Sequence, residues 1–169
     1  MQFKDLLRGA VLLTASAATA LVAVSAVAVN SEGDDTLAAL MLGWWIAAIG
    51  IGIWLGRPAR AERALAGPLA AARTSTQLPS ESPGRIAFNR LWPIAFSTVL
   101  AGICAPFVPQ VPAIAAGFAL MVAAAWRSRD AAVTAVEERD GITFYVENGT
   151  AFEPVKLVRT PGLRRGRPA

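Results

Sequence analysis

Few side chains in this 169-residue chain could do chemistry, and their types and spacing point away from catalysis. Histidine is absent, and Cys104 is the single cysteine. That composition excludes a His/Cys metal set, a Ser-His-Asp triad and an internal disulfide. No Gly-rich phosphate loop is present. Glu32, Asp34 and Asp35 crowd one short segment, and hard oxygen donors of this kind can hold a cation. A solvated connector between two apolar stretches is the simpler role. Glu137, Glu138 and Asp140 read as the polar end of a helix. Cys104 lies among apolar residues with no base nearby to activate its thiol. The reading is of a chain that is not an enzyme and needs neither cofactor nor metal. Trp44 and Trp45 sit together in an apolar stretch. They read either as packing residues or as a wall for a flat apolar ligand.

The elements that position these residues are four apolar stretches, at about 9–29, 36–56, 91–108 and 111–126. Hydrophobic residues make up 54% of the chain and charged ones only 17%, against roughly 25% in soluble domains. The mean hydropathy is +0.46. A helix crosses the hydrocarbon with about 20 residues, within a range of roughly 17 to 25. The first two stretches meet that length. The last two are short, with Pro106, Pro109 and Pro112 between them, so a re-entrant hairpin is the rival to full crossing. The first stretch has a rival too, as a signal peptide with Ala26-Val27-Ala28 at its cleavage site. Its apolar run exceeds the roughly 7–15 residues of a signal core, which favours retention. No stretch contains Asp, Glu, Lys, Arg or His, which argues against ion pumps and proton-coupled transport.

All sixteen basic residues fall in three of the five flanking segments. Lys4 and Arg8 precede the first stretch. Six arginines, from Arg57 to Arg90, lie in the central loop, 57–90. Eight basic residues follow Trp126. The other two connectors have none. The positive-inside rule then puts both termini and the central loop in the cytoplasm, with the chain multi-pass in a plasma (inner) membrane. Arg outnumbers Lys 14 to 2, and with the abundant Ala this reads as coding bias in a GC-rich bacterial genome. A pI near 10.2 would suggest nucleic acid in a soluble chain. Here orientation and anionic lipid account for the basic residues, and no nucleic acid is expected. Arg159, Arg164, Arg165 and Arg167 are the candidates for lipid contact.

Helices in lipid associate through close packing, and small residues four apart permit it. Ala48, Gly52 and Gly56 form the best such series. Outside the stretches, 57–73 reads as a helix interrupted at Gly67-Pro68, and 74–84 as a flexible linker. Residues 127–139 continue the fourth helix, and Gly141 ends it. Ile142–Glu147 and Val155–Arg159 read as two strands with a turn at Asn148-Gly149. A two-stranded unit is marginal alone, so it must lean on a helix, the membrane, a second copy or a partner.

The fold class expected is an all-α membrane protein. Four transmembrane helices form two hairpins, and a small cytoplasmic β-hairpin-like unit follows at the C-terminus. Residues 1–127 form the transmembrane region, 128–160 the cytoplasmic unit and 161–169 a disordered basic tail. Function reads as an accessory or scaffold subunit, with membrane lipids and either a protein partner or self-association as contacts. The alternative is an oligomeric lipid or hydrophobic small-molecule handler.

Overall fold

A proline-free run rich in Ala, Val and Leu makes the first helix, α1 (Phe3–Glu32). Gly33 stops it in the left-handed conformation, φ 66°, and donates its N–H to the Val29 carbonyl. Asp34 starts α2 (Asp35–Leu55) at once. Its carboxylate accepts the N–H groups of Thr36 and Leu37, both at 3.0 Å. One member of the acidic trio is therefore a helix cap. The computed structural model describes residues 1–75 and 82–161. After α2 come α3 (Pro58–Ala70), β1 (Arg73–Thr74), α4 (Pro83–Cys104), α5 (Gln110–Trp126), α6 (Arg129–Asp140), β2 (Ile142–Val146) and β3 (Leu157–Pro161).

Four helical stretches are long and apolar enough to cross a membrane: α1, α2, α4 and the run through α5 and α6. Hydroxyls in α1 and α4 bond the backbones of their own helices. Thr14 donates to the Ala10 carbonyl at 2.8 Å, Ser25 to Leu21 at 2.7 Å and Thr98 to Ile94 at 2.7 Å. The turn between α4 and α5 lies beside Ala28 and Ser31, near the far end of α1. The second hairpin thus reaches as far as the first. α4 also starts earlier than the apolar stretch, because Pro83 at its N-terminus seeds the helix.

Two expectations in the central loop are corrected. The helix break falls at Gly56-Arg57, where Pro58 takes the first position of α3. α3 then continues through Gly67-Pro68 and ends two residues later. Arg73 and Thr74 form a strand, so the linker cannot begin at Thr74. Its residues 76–81 lie outside the described residues.

The C-terminal strand pair is also more than a hairpin. β3 runs antiparallel to β2, with Phe144 opposite Arg159, and parallel to β1 on its other side. The order is β1-β3-β2. Asn148-Gly149 is no tight turn; it lies in the loop 147–156, closed by the Glu147 N–H on the Lys156 carbonyl at 3.1 Å. Beside β2, Gln2 forms a bridge with Tyr145, and the Val146 N–H reaches the Met1 carbonyl at 3.0 Å. The sheet therefore recruits the chain's first residues and part of its central loop.

Beneath the sheet is a closed apolar core. Phe144, Val146 and Leu157 pack with Phe3 and Leu7 of α1, Leu65 of α3, Ile86 of α4 and Val133 of α6. The dependence of two short strands on other structure is met by this chain's own helices. Glu137 belongs to the core as well, although it reads as the polar end of a helix. It is 8% exposed. It accepts the buried Phe144 N–H at 2.9 Å and faces Lys4 Nζ at 3.5 Å. One turn back in the helix is Val133, fully buried, so Glu137 continues the inward stripe.

Glu137→Leu strands the Phe144 N–H and should destabilise the Arg-rich end by about 1–3 kcal/mol. Glu137→Gln keeps an acceptor and should cost less than about 1 kcal/mol. Thermal unfolding of the purified chain in mild detergent distinguishes the two.

Candidate functional site

Three regions of the molecule combine shape with polar groups. The first is the contact between α2 and α5, which holds the small-residue series and both mid-helix tryptophans. A Cβ added to Gly52 would lie 2.6 Å from the Met121 carbonyl oxygen, and one added to Gly56 would lie 2.6 Å from that of Ala124. Ala48 is fully buried on the same face. The three residues therefore set how closely two backbones approach. Ser128 donates to the Gly56 carbonyl, which closes an open group at the end of α2.

Trp44 and Trp45 act on the same seam. The Trp45 indole N–H donates to the Ala113 carbonyl at 2.9 Å, and that of Trp44 points at Ile114 at 3.4 Å. The Trp44 ring lies over Gly117, where any Cβ would collide with it, and stacks edge-on to Phe118 at 5.4 Å. Both indoles thus fasten α2 to α5. Gly117 was not singled out from sequence; its signal is one glycine in a run of alanines. Trp45 also borders a groove of about 290 Å³ at the far end of α1 and α2, beside Ala38 and Met41. Trp44 does not line it.

The second region is a groove of about 550 Å³ at the Arg-rich end, between α3, α6 and the sheet. Leu65, Leu69, Val136, Ile142 and Phe144 line it, and Glu62, Arg139, Asp140 and Arg159 stand among them. Arg139 donates to both oxygens of Asp140, at 2.7 and 3.2 Å. This hydrogen bonding holds the Asp140 carboxyl below the usual carboxylate range. Arg159 is fixed on the sheet, with its Nε donating to Thr74 Oγ1 at 2.8 Å. Arg164, Arg165 and Arg167 lie outside the described residues.

The third region is the loop 147–156, clamped on the start of α4. Asn89 donates to the Asn148 side chain at 3.2 Å, and Arg90 to the Glu153 carbonyl at 2.8 Å. Phe152, 83% exposed, meets the Trp92 ring edge-on at 6.4 Å. Phe88 and Phe96 are exposed on the same helix. Together they make an aromatic ridge where the apolar part of α4 begins, the position aromatic residues favour at a membrane–water boundary. Sequence reading missed Phe152, which reaches α4 only through the fold.

The chain matches no family model, no curated protein and no solved structure.

Gly52→Ala forces a methyl into the Met121 backbone and should cost about 1–3 kcal/mol. Gly50→Ala meets open space and should leave stability unchanged or raise it by up to about 1 kcal/mol. Paired melts in one detergent test both.

Proposed function

We propose that this chain is a non-catalytic integral protein of a bacterial plasma membrane and that it serves as an accessory subunit. Its four long helices anchor it, and its Arg-rich end is a docking platform in the cytoplasm. The observation that carries the reading is the open groove between α3, α6 and the sheet. Its floor is apolar and its backing is a closed core. Glu62 and Asp140 balance Arg139 and Arg159 around it, so it suits a protein segment with apolar anchors better than a polyanion.

Orientation is supported by the segregation of Lys and Arg and by the exposed aromatic ridge. Retention of the first helix is supported by its place in the fold. Its first turns pack under the sheet, and Ala18, Leu21 and Ser25 are buried further along. Removing 142–159 would be a poor test, since Phe144, Val146 and Leu157 are core residues. Charge placed in the groove is a cleaner one.

Ala66→Glu with Ala135→Glu, both exposed on the groove's lining, should abolish a specific crosslinked partner while the melt and membrane insertion stay as in the parent chain. If crosslinking in intact cells followed by mild-detergent purification recovers this chain alone, the docking role fails. A cysteine placed at Ser75 in a Cys104→Ala background should resist membrane-impermeant thiol reagents in intact cells; labelling from outside would invert the topology.

The second reading, a handler of lipid or small apolar molecules, draws on the groove beside Trp45. Ala38→Phe fills that groove and should lower retention of an apolar fluorophore severalfold. Unchanged retention removes this reading.

A further inference from the structure

A second groove at the Arg-rich end, of about 500 Å³, lies on another face of α3, against α2, α5 and the start of α6. Arg60, Arg63 and Arg129 converge on it from two helices, and no acidic residue lines it. The ion pairs among the described residues join Lys4 to Glu137, Arg8 to Asp130 and Arg139 to Asp140. None involves these three arginines. Two of them are held by aromatic rings instead. The Arg60 guanidinium sits 3.7 Å above the Trp54 ring and that of Arg129 sits 4.7 Å from Trp126. Stacking fixes the planes of these guanidinium groups and leaves their N–H donors open. Burial with no compensating anion pushes the Arg129 pKa below its ordinary value.

The floor is apolar, made by Leu55, Met121, Val122 and Ala125. It continues into the exposed apolar surface of α2 at Ile51. A site for free phosphate has no use for such a floor and usually offers backbone N–H groups. A lipid has use for both halves of the groove.

We propose that this groove binds the headgroup phosphate of an anionic glycerophospholipid, with Arg60, Arg63 and Arg129 on its oxygens and Leu55, Met121 and Val122 against the first methylenes of its chains. The inference rests on the membrane-spanning reading given above. It assigns lipid recognition to a site on the folded bundle, distinct from the basic end of the chain.

The test uses the full chain purified in mild detergent and titrated with phosphatidylglycerol, phosphatidylcholine or inorganic phosphate under native mass spectrometry. Phosphatidylglycerol should bind about tenfold more tightly than phosphatidylcholine. The triple variant R60Q/R63Q/R129Q should lose that preference, while R57Q/R73Q/R127Q, with the same loss of charge, should keep it within about twofold. Arg63→Gln alone removes a side chain with no ring or ion-pair partner among the described residues. It should weaken phosphatidylglycerol about fivefold, and it decides the matter if the triple variant does not fold. Equal loss in both triple variants, no loss in the groove variants, or displacement of the lipid by millimolar phosphate overturns the proposal. Incorporation into phosphatidylcholine vesicles is measured in parallel. A chain that fails to incorporate refutes the membrane reading as well, whereas one that incorporates without headgroup preference refutes only the lipid site.

Discussion

Close approach to α5 is the constraint on which the bundle depends. α1, α2 and α4 all pack against this one helix, and it can receive them because much of its surface is Ala and Gly. Buried Ala113, Ala116 and Gly117 present backbone and methyl groups to their neighbours. α2 answers with Ala48, Gly52 and Gly56, so two backbones come together with no side chain between them. In lipid, where water supplies no drive to bury a methylene, contact of this kind and polar bonds across the seam hold helices together. The Trp45 bond to the Ala113 carbonyl and the Ser128 bond to Gly56 are two such bonds.

The Arg-rich end obeys different physics. Phe3, Ile86, Val133, Phe144 and Leu157 form an ordinary apolar core under a small sheet, and burial from water stabilises it. Because its parts come from both ends of the chain and from the central segment, it ties the starts of α1 and α4 to the end of the α5–α6 run. Glu137 joins these layers, bonding the sheet backbone while facing Lys4. This closed unit leaves two grooves on different faces of α3. One has balanced charge and the other is wholly basic. The docking and headgroup roles proposed for the two grooves rest on that difference.

Several features were legible because they are local. Gly141 ends a helix at positive φ, and glycine is the residue that tolerates this. The small residues of α2 carry their four-residue spacing openly. Other features were not legible. β1 is two residues long, too short for any alternation to show. Its pairing with Val158 and Arg159 depends on α3 returning the chain to the sheet. Phe152 has no periodic neighbours and gains its role only beside Trp92. The tryptophan pair allowed two readings. The contact of Trp44 with Gly117, seventy-odd residues away in the chain, exists only in the fold.

The sequence by itself determined four helical stretches long and apolar enough to span a bilayer and the separation of basic segments from the two connectors that carry no Lys or Arg. Hydropathy and charge are properties of each residue and survive without a fold. Only the tertiary structure decided that the first residues, the central segment and the C-terminal strands share one core, and that Arg60, Arg63 and Arg129 face one groove. Those arrangements depend on which helix faces meet, and no single segment of the chain carries that information.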